Sequence, residues 1–197
     1  MISKLSKLSA EMFIKNETYF KDRETYEYAF FIIYSALYYF VFAIIIGLLF
    51  NTLLYSLIFY SVFMLLRIYA GGYHANTETK CCIITMLSIF GCTGIIKLSK
   101  IYNFNSILLC IALICAILIF IFSPLDTPEK PLSKKEFTYF RKITRIILFC
   151  ILTAIVISYC TDINLLFAPC CMSLILEGIL IIAGKIKSTQ NEKRANS

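Results

Sequence analysis

Apolar blocks close to the length of a bilayer-crossing helix, about twenty residues, recur along the chain with short polar or charged stretches between them. They predict spans near residues 28–50, 52–68, 81–97, 106–123, 146–161 and 164–184, all helical because lipid offers no partner for an open backbone group. The first division is the faintest. No charge occurs from Tyr28 to Leu66, and the turn signals there are Gly47, Asn51 and Thr52, which suit either a minimal hairpin or a re-entrant second segment.

Two stretches break the pattern. In Met1–Glu27 charges run throughout without a continuous apolar core, which argues against a signal peptide. Its residues Ile2, Leu5, Leu8, Met12 and Phe13 recur at three and four, with Lys4, Lys7, Glu11 and Lys15 between them, the spacing of an amphipathic helix lying in the membrane interface. The second stretch is Ser123-Pro-Leu-Asp-Thr-Pro-Glu-Lys-Pro-Leu132. It holds three of the four prolines, so it cannot be helical throughout. Ser133-Lys-Lys-Glu136 follows with capping-box spacing and predicts a basic helix running into the fifth span. The expected architecture is an all-α integral membrane protein of about six transmembrane helices, one polytopic domain over 1–197. It comprises an interfacial helix (1–27), a transmembrane region (28–184) and a cytoplasmic tail (185–197).

Composition agrees with that class: 59% of residues are hydrophobic, 16% are charged, and the mean hydropathy is +0.79. Charge adds an orientation. Seventeen of the nineteen lysines and arginines fall before Tyr28, between Arg67 and Lys80, in 124–145 or after Gly184, leaving Lys97 and Lys100 for the other connections. The positive-inside rule then puts both termini and the 67–80 segment in the cytoplasm. The basic excess on that side suits an acidic peptide or anionic lipid; no nucleic-acid partner is expected.

Nine cysteines invite a disulfide or metal reading, but no C-x-x-C pair exists, and Cys92, Cys110, Cys115, Cys150, Cys160, Cys170 and Cys171 lie within or at the ends of spans as small apolar residues. A single histidine excludes H-E-x-x-H zinc chemistry, and the chain has no Gly-x-Ser-x-Gly elbow. Neither a metal nor a cofactor is expected.

That histidine, His74, stands seven residues before Cys81 in Gly71-Gly72-Tyr73-His74-Ala75-Asn76-Thr77-Glu78-Thr79-Lys80-Cys81. A base and a thiol nucleophile at this spacing can form a cysteine active site only if the chain bends between them, since straight helix would hold them about 10 Å apart at ~1.5 Å per residue. The sequence allows the bend. Gly71-Gly72 frees the backbone, and Thr77 or Thr79 can cap a helix that places Cys81 in its first turn, where the helix dipole and Lys80 favour negative charge. Spacing alone leaves open the alternative of an interfacial histidine near a packed cysteine.

Arg67-Ile-Tyr-Ala-Gly71-Gly72-Tyr-His74, with Cys81 after it, resembles the signature of the accessory gene regulator B family (AgrB), and Ser123–Leu132 resembles that family's Pro- and Lys-containing cytoplasmic loop. The resemblance implies a bacterial plasma-membrane cysteine endopeptidase with His74 and Cys81 as the catalytic pair. Arg67, Gly71 and Gly72 support the site, and Lys130, Lys134 and Lys135 stand on the substrate side. It also implies an AgrD-type propeptide substrate, whose acidic tail is removed to leave a thiolactone or lactone; the other expected partners are membrane lipid and a second copy in a homodimer. Glu177 is the lone carboxylate within a predicted span, placed either to function there or to snorkel towards the cytoplasmic end. The alternative from another class is a small peptide transporter or exporter using Glu177 and Arg67 as intramembrane polar sites.

Overall fold

The computed structural model describes residues 2–13, 23–73, 75, 77–125, 133–161 and 164–195. Among them are seven helices and no strand: α1 (Ile2–Phe13), α2 (Arg23–Leu49), α3 (Leu53–Ala70), α4 (Glu78–Tyr102), α5 (Asn105–Phe122), α6 (Lys134–Cys160) and α7 (Asn164–Ala195). The segments Thr25–Leu49, Leu53–Ala70, Glu78–Tyr102, Asn105–Phe122, Lys134–Cys160 and Leu165–Gln190 are long and apolar enough to cross a membrane. The all-α, six-span expectation therefore holds.

Local chemistry sets the helix ends. At the faint first division, Asn51 adopts a left-handed φ of 57°, Thr52 N–H donates to Gly47 O at 2.7 Å and Asn51 N–H to Leu48 O at 3.1 Å. This is a Schellman end with asparagine in the left-handed position, so the hairpin reading holds and α3 is one continuous helix. Small residues let its two arms meet: a Cβ on Gly47 would lie 2.9 Å from Leu53 Cα, and Ser56 Oγ donates to Ala43 O at 2.8 Å. Asn103, at φ 49°, ends α4 in a similar way. The capping box predicted for α6 is present. Glu136 N–H donates to Ser133 Oγ at 3.3 Å and Ser133 N–H to the Glu136 carboxylate at 2.9 Å, so the helix begins well before the apolar block at Ile146. α7 likewise continues past Gly184 to Ala195, so the expected tail is helical over most of its length.

The chain divides into two compact units, Met1–Phe42 and Ala43–Ser197. In the first, Ser9 and Tyr34 hydroxyls lie 2.7 Å apart, and Arg23 binds Glu27 at 3.0 Å and Glu11 at 2.5 Å, tying α1 to the start of α2. Ser6 and Ala10 are buried while Leu5, Leu8 and Met12 point outward, the arrangement an interfacial helix needs.

In the second unit α7 is the central helix, packed against α3, α4, α5 and α6. Phe167, Cys171, Leu174, Glu177 and Ile181 are fully buried along it. Apolar surface gains little by leaving lipid for protein, so close packing and interhelical hydrogen bonds must supply the association. Both are visible. A Cβ on Gly178 would stand 2.7 Å from Cys115 Cβ of α5, and the Ser173 hydroxyl lies 3.0 Å from Phe59 O of α3 and 2.8 Å from its own Pro169 O. Leu54, Ile107, Ile114, Ile117, Phe149 and Ile157 face outward, as a lipid-facing surface requires.

Lys97 and Lys100 lie over the rings of Phe50 and Tyr55, so the α2–α3 and α4–α5 turns share one end of this unit. At the other end Leu125 N–H donates to Ala70 O at 2.9 Å, joining the last residue of α3 to the segment that follows α5.

Candidate active site

Cys81 sits where the cap predicted. Thr77 is extended at φ −136°, ψ 146°, its Oγ1 accepts the Lys80 N–H at 3.3 Å, and its carbonyl accepts the Cys81 N–H at 3.1 Å, the first full helical bond of α4. Cys81 therefore occupies the first turn, the positive end of the helix dipole. Glu78 and Thr79 contribute amides that have no acceptor within the helix, donors suited to a developing oxyanion. Cys81 is half-buried, whereas Cys92, Cys115, Cys170 and Cys171 are buried. Neighbouring Cys82 has its thiol 3.8 Å from Met86 Sδ, an apolar packing arrangement.

His74 lies outside the described residues, but the arm leading to it is well defined. α3 ends in Gly71 at φ 77° and Gly72 at φ 127°, conformations that favour glycine. Space matters as much. A Cβ on Gly71 would stand 2.9 Å from Leu125 O, and one on Gly72 would collide with Arg67 Nη1. From the last turn of α3, Arg67 donates through Nη1 to Gly71 O at 2.8 Å and through Nη2 to Tyr73 O. Tyr73 N–H donates to Leu180 O of α7 at 2.9 Å. Gly184 makes that docking feasible, since a Cβ there would come within 2.9 Å of Tyr73 N. The guanidinium thus clamps two carbonyls of the turn while α7 holds an amide between them.

Behind the clamp is Glu177. Its side chain is 0% exposed, and Arg67 Nη1 stands 4.0 Å from its Oε1. Snorkelling is excluded for this geometry, because the carboxylate is sealed within the bundle.

Arg67, Gly71 and Gly72 are thus brought together, and Tyr73, Leu125, Leu180 and Gly184 join them without having been singled out by sequence. Arg67 and Glu177, single opposite charges near or within apolar spans, were the available hint of a pair. Lys134 and Lys135 are exposed in the first turn of α6; Lys130 lies outside the described residues. Further along α6, Thr138, Arg141, Lys142, Arg145, Ile146 and Phe149 line an open cavity of about 450 Å³. Basic side chains also lie over aromatic rings, Arg145 on Phe120, Lys185 on Phe122 and Lys187 on Tyr73.

The family described as Accessory gene regulator B matches residues 6–182, most of the chain, including Arg67, Gly71, Gly72, Cys81 and Glu177. The chain belongs to that family. It is 32% identical over 143 residues to an AgrB-like protein of Clostridium perfringens (strain SM101, type A), and 29% identical over 143 residues to AgrB-like protein 2 of Clostridium perfringens (strain 13, type A). Each alignment covers 69% of this chain and 66% of the relative, so the chain spans just under two thirds of those relatives. No solved structure matches it. Family membership and six apolar helices together make this a multi-pass membrane protein.

Proposed function

We propose that the protein is a membrane-embedded cysteine endopeptidase of the accessory gene regulator system, which removes the C-terminal tail of an AgrD-type propeptide and closes the remaining segment into a thiolactone or lactone. The observation that carries this reading is the placement of Cys81 in the first, Thr77-capped turn of α4, next in sequence to a glycine arm clamped by Arg67 and docked on α7.

His74 takes the proton of the Cys81 thiol, and the sulfur attacks the carbonyl before the acidic tail. The tetrahedral oxyanion is met by amides at the start of α4. When it collapses, the C–N bond breaks and the tail leaves as an amine carrying the proton returned by His74. The propeptide's own cysteine or serine then attacks the acyl-enzyme thioester, its proton passing to the Cys81 sulfur as that bond breaks. Exchange of the enzyme thioester for the peptide's own thioester is close to energy-neutral, so that ring-closing step needs no nucleotide. Apolar surroundings limit competing hydrolysis. Basic residues of 130–145 attract the acidic tail, and both termini and the site face the cytoplasm by the positive-inside rule.

Transport by way of Arg67 and Glu177 is the weaker reading, because Arg67 is committed to the Gly71 and Tyr73 carbonyls and Glu177 is closed to solvent. The test is cleavage of a synthetic propeptide by purified protein in detergent, where transport has no meaning. Cys81→Ala and His74→Ala should each abolish cleavage, Cys82→Ala should retain most of it, and rapid quenching should show an acyl adduct on Cys81. An active Cys81→Ala variant would refute the assignment.

A further inference from the structure

Glu177 is an expense the proposed chemistry does not explain. A carboxylate inside a membrane span is costly, this one is fully buried, and among the described residues neither of its oxygens accepts a hydrogen bond. Among the described residues its ion-pair partner is Arg67, which stands at 4.0 Å, beyond hydrogen-bond range. An ion pair built for local stability would close that gap. Here the guanidinium instead directs its donors to Gly71 O and Tyr73 O of the arm. Gly72 shows how tightly the three layers are stacked. A Cβ there would overlap Arg67 Nη1 and at the same time stand 3.5 Å from Glu177 Oε1.

We propose that Glu177 is a positioning residue: its carboxylate holds the Arg67 guanidinium at the depth where it clamps the Gly71 and Tyr73 carbonyls, and so sets the arm that presents His74. The proposal rests on the reading of His74 as the base for Cys81. With its side chain only 17% exposed, the Arg67 guanidinium needs a counter-charge to remain inside the bundle. With the carboxylate neutralised, the guanidinium moves towards water and releases both carbonyls. The arm then keeps one tether of the three, Tyr73 N–H on Leu180 O. Glu177 acts through Arg67 and touches no substrate. Its loss should therefore lower kcat and leave KM nearly unchanged.

The experiment uses the full chain in detergent with three variants, E177Q, E177D and the paired replacement R67M/E177L. The chain's single histidine gives one set of imidazole signals after isotope labelling of histidine. In E177Q these signals should shift without any substrate present, and kcat for propeptide cleavage should fall at least about tenfold with KM within about twofold, as a misplaced base requires. E177D, which restores the charge, should recover part of kcat and move the histidine signals back. R67M/E177L removes both charges, so it should melt close to wild type yet remain as inactive as E177Q. Wild-type histidine signals and kcat in E177Q, or cleavage restored in R67M/E177L, would overturn the proposal and leave the pair a packing feature. Absence of cleavage by the wild type would refute the proposed function instead, and the histidine signals would still decide the role of Glu177.

Discussion

Alanine at Gly72 tests the clamp from the backbone side. The added methyl would overlap Arg67 Nη1 and stand 3.3 Å from Cζ, so the guanidinium must move. Holding a non-glycine residue at φ 127° costs about 1–3 kcal/mol. Each charge-assisted bond lost, to Gly71 O and to Tyr73 O, is worth about 1.5–3 kcal/mol. The lowest sum is about 4 kcal/mol, which corresponds to a factor of roughly a thousand in the population of the present turn. Refolding the turn locally is cheaper than unpacking α3 from α7, so the loss should appear in catalysis and not in the bundle. We expect Gly72→Ala to cleave propeptide at least about a hundredfold more slowly, with helix content unchanged. Gly91→Ala is the matched control. A Cβ at Gly91 meets nothing within 4 Å, so alanine there should add up to about 1 kcal/mol of helix propensity and leave cleavage within about twofold. Mass-spectrometric cleavage rates, circular dichroism and thermal melts of both variants would decide it. A Gly72→Ala enzyme with near-wild-type turnover, or one no worse than Gly91→Ala, would refute the clamp.

Brief alkylation followed by peptide mapping should modify Cys81 ahead of the other eight cysteines, and faster in the wild type than in His74→Ala; equal labelling of Cys81 and the buried Cys92, Cys115, Cys170 and Cys171 would remove the case for an activated thiol. Reporter fusions after Leu132 and after Gly184 should report the cytoplasm and one near Asn103 the outside, and an inside signal at Asn103 would break the six-span topology. Replacing the exposed Lys134, Lys135 and Lys142 and the half-buried Arg141 by Gln should raise KM more than it lowers kcat, by ~0.2–1 kcal/mol per exposed lysine, with the difference shrinking at high salt. A salt-independent loss would assign those residues to topology or lipid instead.

Much of this protein is written in local signals. Six spans follow from apolar length alone, the start of α6 from Ser133 and Glu136, and the position of Cys81 in a first turn from Thr77, because each depends on residues within one or two turns. Even the faint α2–α3 hairpin was foreshadowed by Gly47, Asn51 and Thr52. Sequence could not say whether Asn51 would turn the chain or a re-entrant segment would form, since a left-handed residue and the Ser56–Ala43 contact emerge only once two helices meet. The centre of the bundle was equally hidden. In a soluble protein polar residues mark the outer face of a helix, but in lipid both the packed and the lipid-facing sides are apolar, so nothing in the pattern distinguished α7 from its neighbours. Small residues such as Gly178 and Gly184 acquire meaning only when Cys115 and Tyr73 are seen against them. Arg67 and Glu177 were each visible as costly charges, far apart along the chain. Tertiary packing of α3 on α7 alone decided that they lie 4.0 Å apart behind the glycine arm, because a buried charge is tolerable only where the fold brings it a partner.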